Sequence, residues 1–128
     1  MSKQELGERQ KNLVEALRSG DYKQGRGLLR TKEDKFCCLG IACDLIDYFQ
    51  WQDFGSGYYY TPKEKGALNS TSLNEQVRAY YGFRGHLGKS KDIINFNGLS
   101  KLNDFGYTFE QIADIIEAHP EQYFTESL

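Results

Sequence analysis

Apolar residues recur at helical spacing in four stretches of the chain and run together in others. Leu6, Leu13, Val14 and Leu17 fall on one stripe, preceded by Ser2 and Glu5 in a capping-box arrangement and followed by Gly20. This pattern predicts a first helix over about 3–18, stopped by a left-handed glycine. GRGLLRT and DKFCCL flank Lys32, Glu33 and Asp34, which predicts a β-hairpin. Its second arm leads into CCLGIACDLIDYF, where Cys38, Ile41, Ala42, Leu45 and Phe49 keep helical spacing while Leu39 and Ile46 widen the apolar arc. A helix apolar on most sides belongs in the middle of a core, so a central buried helix is expected over about 37–49. Gly40 inside it is a poor helix former and points to a close backbone approach.

The later chain reads the same way. Tyr58, Tyr59 and Tyr60 favour a strand that Pro62 ends. Ser72 and Glu75 open a helix carrying Leu73, Val77, Tyr80 and Tyr81, and Gly82 closes it. FRGHLGKSKD reads as a loop, IINF as a short strand and GLSKLNDFG as about one helical turn. Thr108 and Gln111 cap a helix with Phe109, Ile112, Ala113 and Ile116, stopped by Pro120, and the final TESL is expected to fray. The expected fold is α+β: a single small domain over 1–128, with about four helices and a small antiparallel sheet around the central helix.

Composition narrows the function classes. In 128 residues, 16 basic and 18 acidic side chains give a net charge of −2. Duplex nucleic acid requires unopposed cations to replace counterions, so a general DNA binder is not expected. The first residues carry no apolar run and no stretch approaches a membrane span, so neither leader nor membrane insertion is expected. Three cysteines, two of them adjacent, make a poor disulfide framework and point to reducing cytoplasm.

Three segments, ALRSGDYKQGRGLL at 16–29, FCCLGIACDL at 36–45 and LNDFGYTFEQIADIIE at 102–117, together resemble a family of short proteins of tailed phages and prophages. The family carries ALRSG-x-Y-x-Q, then CCLG, then LND-x-G and F-x-x-IA-x-x-IE. The resemblance fades between 50 and 98. It implies a phage accessory protein in bacterial cytoplasm and carries over no reaction and no catalytic residue. Within its motifs, Asn103 or Asp104 would order the turn before Thr108, and Gly106 would supply a positive φ.

Four chemistries are open to these residues. Cys37 or Cys38, at a helix N-terminus, would be a nucleophile if the helix dipole lowered its pKa, with His86 as base in the manner of papain-like hydrolases; the opposing reading is buried small hydrophobes. Metal and cofactor are not expected, because adjacent cysteines on one helix do not converge on a tetrahedral ion. Arg84, His86 and Lys89, with Gly82, Gly85 and Gly88 among them, have the parts of an anion pocket. Arg26 and Arg30, near Gly25 and Gly27, would add a second cluster, and a ring among Tyr58, Tyr59 and Tyr60 would stack on a base. Trp51, Phe54 and the tyrosine run are candidates for a protein-binding surface. The leading expectation is a non-enzymatic accessory protein that interferes with a host process by sequestering a small anionic ligand, such as a nucleotide signal of bacterial immunity. The alternatives are a protein–protein inhibitor of a host protein and a cysteine hydrolase.

Overall fold

The structure, a computed structural model, describes residues 5–46, 50–53, 55, 57–61, 75–85 and 98–128. It is an α+β domain of helices and a five-stranded mixed sheet. Among the described residues there are six helices, against the four expected.

Helix α1 spans Glu8–Arg18 rather than starting near residue 3. Gly7 is its N-cap, and the Gly7 N–H donates to Gln10 Oε1 (2.9 Å). The capping pair is therefore Gly7 with Gln10; Ser2 lies outside the described residues. Leu13, Val14 and Leu17 are buried as the stripe predicts. Arg18 bridges α1 to a later helix, α5 (Phe109–Ala118), through Asp114 (2.6 Å) and Glu117 (3.6 Å).

The sheet comprises β1 (Lys23–Gln24), β2 (Arg30–Thr31), β3 (Lys35–Phe36), β4 (Gln50–Asp53) and β5 (Gly57–Thr61), in the order β1-β3-β2-β5-β4. The expected hairpin is present as β2 and β3, with Asp34 at φ 60° in its turn and accepting two hydrogen bonds from Arg30 (3.0 and 2.7 Å). The sheet is not wholly antiparallel, because β1 pairs β3 in parallel, Lys23 opposite Lys35. The chain leaves β1 through Gly25, where a side chain would collide with Lys35 (2.7 Å to its Cβ), and crosses over so that the hairpin inserts β3 beside β1. The Gly25 N–H donates to the Phe36 carbonyl (2.8 Å), extending that pair. The tyrosine run forms β5, antiparallel to both β2 and β4.

Helix α2, Cys38–Asp44, is the centre of the core: residues 38–43 are all buried. It is shorter than expected, since Leu45 caps it and Ile46 N–H turns back to the Cys43 carbonyl (3.1 Å). Ile46 is still buried at 4% exposure, which is why the apolar pattern runs past the helix end. A Cβ on Gly40 would overlap the Leu29 carbonyl oxygen, so the close approach expected of this glycine is real.

Helix α3 (Glu75–Tyr81) closes on Gly82 at φ 78°; Ser72, Pro62 and the IINF strand lie outside the described residues. Helix α4 (Leu99–Asp104) leads through Gly106 (φ 102°) to α5 (Phe109–Ala118), capped by Thr108 and Gln111 as expected (2.9 and 3.1 Å). Pro120 does more than stop α5: lacking an N–H and preset in φ, it opens α6 (Pro120–Tyr123) as the first helical residue. The last residues are held rather than frayed. Thr125 N–H donates to the Gly82 carbonyl (2.7 Å), Arg9 N–H donates to the Leu128 carbonyl (2.9 Å), and Ser127 Oγ bonds the Glu5 carbonyl. No helix among the described residues is long and apolar enough to cross a membrane.

Candidate functional site

Both adjacent cysteines stand at the start of α2, and both are sealed. Cys37, Cys38 and Cys43 are 5%, 2% and 0% exposed. Cys37 Sγ accepts from the Gly40 N–H (3.4 Å), and Cys38 Sγ donates to the Leu99 carbonyl (3.4 Å). Burial pushes the Cys37 thiol up to about 11, against the pull of the Gly40 and Leu39 amides. Burial likewise drives Cys38 and Cys43 well above the ordinary thiol value. Desolvation outweighs the helix-terminus effect that would favour thiolate. These are protonated packing groups, and the nucleophile reading of Cys37 and Cys38 loses its activated sulfur. Its proposed base, His86, lies outside the described residues. Among the described residues, no three His, Cys, Asp or Glu side chains gather as metal ligands would.

The polar heart of the fold is Asn103, buried at 0% exposure. Its Oδ1 accepts from Gln24 Nε2 (2.8 Å) and the Cys38 N–H (3.2 Å), and its Nδ2 donates to the Gly25 carbonyl (2.8 Å). One side chain thereby fastens α4 to β1, the β1–β2 loop and the start of α2. Gln24 Nε2 reaches on to the Tyr107 carbonyl (2.7 Å), and Asp104 Oδ1 accepts from the Gly27 N–H (3.1 Å). Asn103 and Asp104 both order the turn, as expected, but each does so by tying it to a loop almost 80 residues away in sequence.

The aromatic and basic candidates divide among three places. Arg30 lies over Tyr58 (4.2 Å to the ring centroid), with Phe36 and Trp51 at 5.4 and 5.6 Å, and is paired to Asp34 (2.7 Å). Tyr58 thus stacks on a cation within the fold. Trp51 meets Phe36 edge-on at 5.9 Å and donates from Nε1 to Asp44 Oδ1 (3.0 Å), while Tyr22 Oη donates to Asp44 Oδ2 (2.8 Å). The tryptophan expected at an interface is half-buried packing. Arg84 is half-buried, its Nε donating to the Glu121 carbonyl (3.1 Å). Arg26 stands apart, exposed, its Nη2 3.2 Å from where a Cβ on Gly106 would be. Among the described residues, no hydrogen bond or ring contact joins Arg26, Tyr58 and Arg84. His86, Lys89, Phe54 and the side chains of Tyr59 and Tyr60 lie outside the description.

Among the described residues, the largest apolar exposure is elsewhere. Phe105 is 76% exposed and Tyr107 40% exposed, on the turn between α4 and α5. The turn's backbone is fully tied: Phe105, Gly106 and Tyr107 N–H groups donate to the Lys101, Asn103 and Leu102 carbonyls (2.9, 3.2 and 3.1 Å). A Phe held out to water on a fixed turn, with a guanidinium laid against the glycine beside it, is a surface that can accept a partner. Sequence reasoning took GLSKLNDFG for a fold signal and passed over Phe105. The available clue was that Phe105 falls between two apolar stripes and joins neither.

Sealed thiols, a bonded polar knot and an exposed aromatic turn characterise the described residues of this small α+β domain. The chain belongs to the family described as a domain of unknown function (DUF8296), whose model matches residues 3–120. No curated protein and no solved structure matches the chain.

Proposed function

We propose that this chain is a non-enzymatic binding protein, a phage accessory factor that engages a host protein in the bacterial cytoplasm through the turn at 104–107. The observation that carries this reading is Phe105, 76% exposed on a turn whose amides are all bonded. Exposed aromatics on a rigid frame are the residues that anchor protein interfaces, because little conformational entropy is lost when they are buried. The resemblance of the 16–29, 36–45 and 102–117 segments to tailed-phage proteins supports the setting. Three free cysteines support a reducing compartment.

The test is capture from bacterial lysate by the wild-type chain and by Phe105→Ala, both checked for the same unfolding midpoint. A host protein retained by the first and lost by the second supports the reading. Identical captures, or none by either, would end it. Sequestration of a small anionic nucleotide is the second reading, favoured by the exposed guanidinium of Arg26. Calorimetry against a nucleotide panel tests it: binding that Arg26→Ala abolishes supports sequestration, and heat in neither protein removes it.

A further inference from the structure

Resting on the reading that the 104–107 turn is a docking surface, we infer that its partner presents an acidic peptide segment, a carboxylate for Arg26 beside an apolar side chain for Phe105. Arg26 is exposed and has no ion pair among the described residues. Its guanidinium lies against Gly106, between Phe105 and Tyr107 in the chain, and Gly106 at φ 102° leaves the space it occupies. The acid of the same turn, Asp104, has its Oδ1 bonded to the Gly27 N–H (3.1 Å), and no ion pair joins it to Arg26 among the described residues. Lys23 and Lys35, register partners in the β1–β3 pair, are also exposed, and Lys35 packs against Gly25, one residue before Arg26.

A chain of net charge −2 thus presents a guanidinium without an ion pair beside the most exposed aromatic of its described residues. A guanidinium accepts a carboxylate in bidentate fashion, and apolar neighbours that exclude water strengthen the pair. Charge complementarity of this kind sets which partner is chosen and how fast it arrives. Neutral and basic segments leave Arg26 unpaired under the partner.

The experiment selects displayed random peptides of about a dozen residues on the immobilised full chain, then titrates synthetic copies of those recovered. The expected result is enrichment of Asp or Glu next to an apolar residue. Affinity should weaken as salt rises, by roughly tenfold or more in Arg26→Glu, and partly in Arg26→Lys, which keeps the charge but not the fork. Recovery of peptides without acidic residues, equal affinity for Arg26→Glu, or recovery of none would overturn the inference. Failure here is separable from failure of the docking reading. A lysate partner lost in Phe105→Ala but retained by Arg26→Glu leaves the docking surface standing and removes only its acidic preference.

Discussion

A thiol at the head of a helix is pulled toward ionisation by the aligned amides and away from it by loss of water. At Cys37 the second effect wins, and the proton is held to about 11 instead of the ordinary 9.0. The consequence for stability has a definite sign. Above pH 9 the unfolded chain releases thiol protons that the native chain keeps, so the unfolded state is favoured as pH rises. Stability should be level through neutral pH and fall above about pH 9, by about 1.4 kcal/mol per pH unit for each thiol that ionises only when unfolded. Tyr22, raised by burial and by its bond to Asp44, adds to the fall at still higher pH. Urea unfolding between neutral pH and pH 10 measures this, and Cys37→Ala should flatten the slope. An unchanged midpoint across that range would show the sulfurs in contact with solvent. Much of this residue-scale picture was legible. Free cysteines flanked by Phe36, Leu39 and Ile41 read as buried small hydrophobes. The exposure of Phe105 was only hinted at, because a residue that joins neither neighbouring stripe can still be covered by a loop distant in sequence.

At the scale of elements, local signals told the truth and distant ones were silent. Helix α5 was readable because Thr108 and Gln111 satisfy each other's amides within one turn. The β2–β3 hairpin was readable because its turn is three polar residues long. The parallel β1–β3 pair was hidden, since parallel partners are set by a crossover and not by adjacent residues. The start of α1 was misplaced because its cap uses a glycine packed on the Leu128 backbone. Gly40 is the sharpest element-scale constraint: α2 touches the Leu29 carbonyl just before β2 with no room for a methyl group. Gly40→Ala, a gain in helix propensity, should nevertheless destabilise by about 3 kcal/mol or more through overpacking. Guanidinium or thermal unfolding would reveal it, and a neutral or stabilising outcome would contradict the approach of helix to strand.

For the molecule as a whole, the deciding residue is Gln10, buried at 0% exposure. Its Nε2 donates to the Tyr81 and Glu126 carbonyls (2.7 and 2.8 Å), and its Oε1 accepts from Gly7. One amide therefore joins the first helix, the end of α3 and the last residues of the chain. Gln10→Ala removes the bonds made to two carbonyls and an amide, at about 1–3 kcal/mol for each group left buried and unsatisfied. The expected outcome is a loss of at least about 2 kcal/mol, with faster hydrogen exchange at the amides of Thr125 and Arg9. Exchange unchanged at both would mean the tail is held by other contacts. No periodicity in the sequence announces such a clasp, because a glutamine on a helix reads as a solvent-facing residue.

The hydrogen bonds of Gln10 and Asn103 span 71 to 116 residues and 65 to 79 residues of chain, respectively. Each can close only after a long loop has been gathered, and that entropy is lost before the contact gives anything back. The hairpin and α5 rest on local contacts and need no such gathering. The expectation is that the buried amides lock late, which a folding φ-value near zero for Gln10→Ala would show and a value near one would contradict.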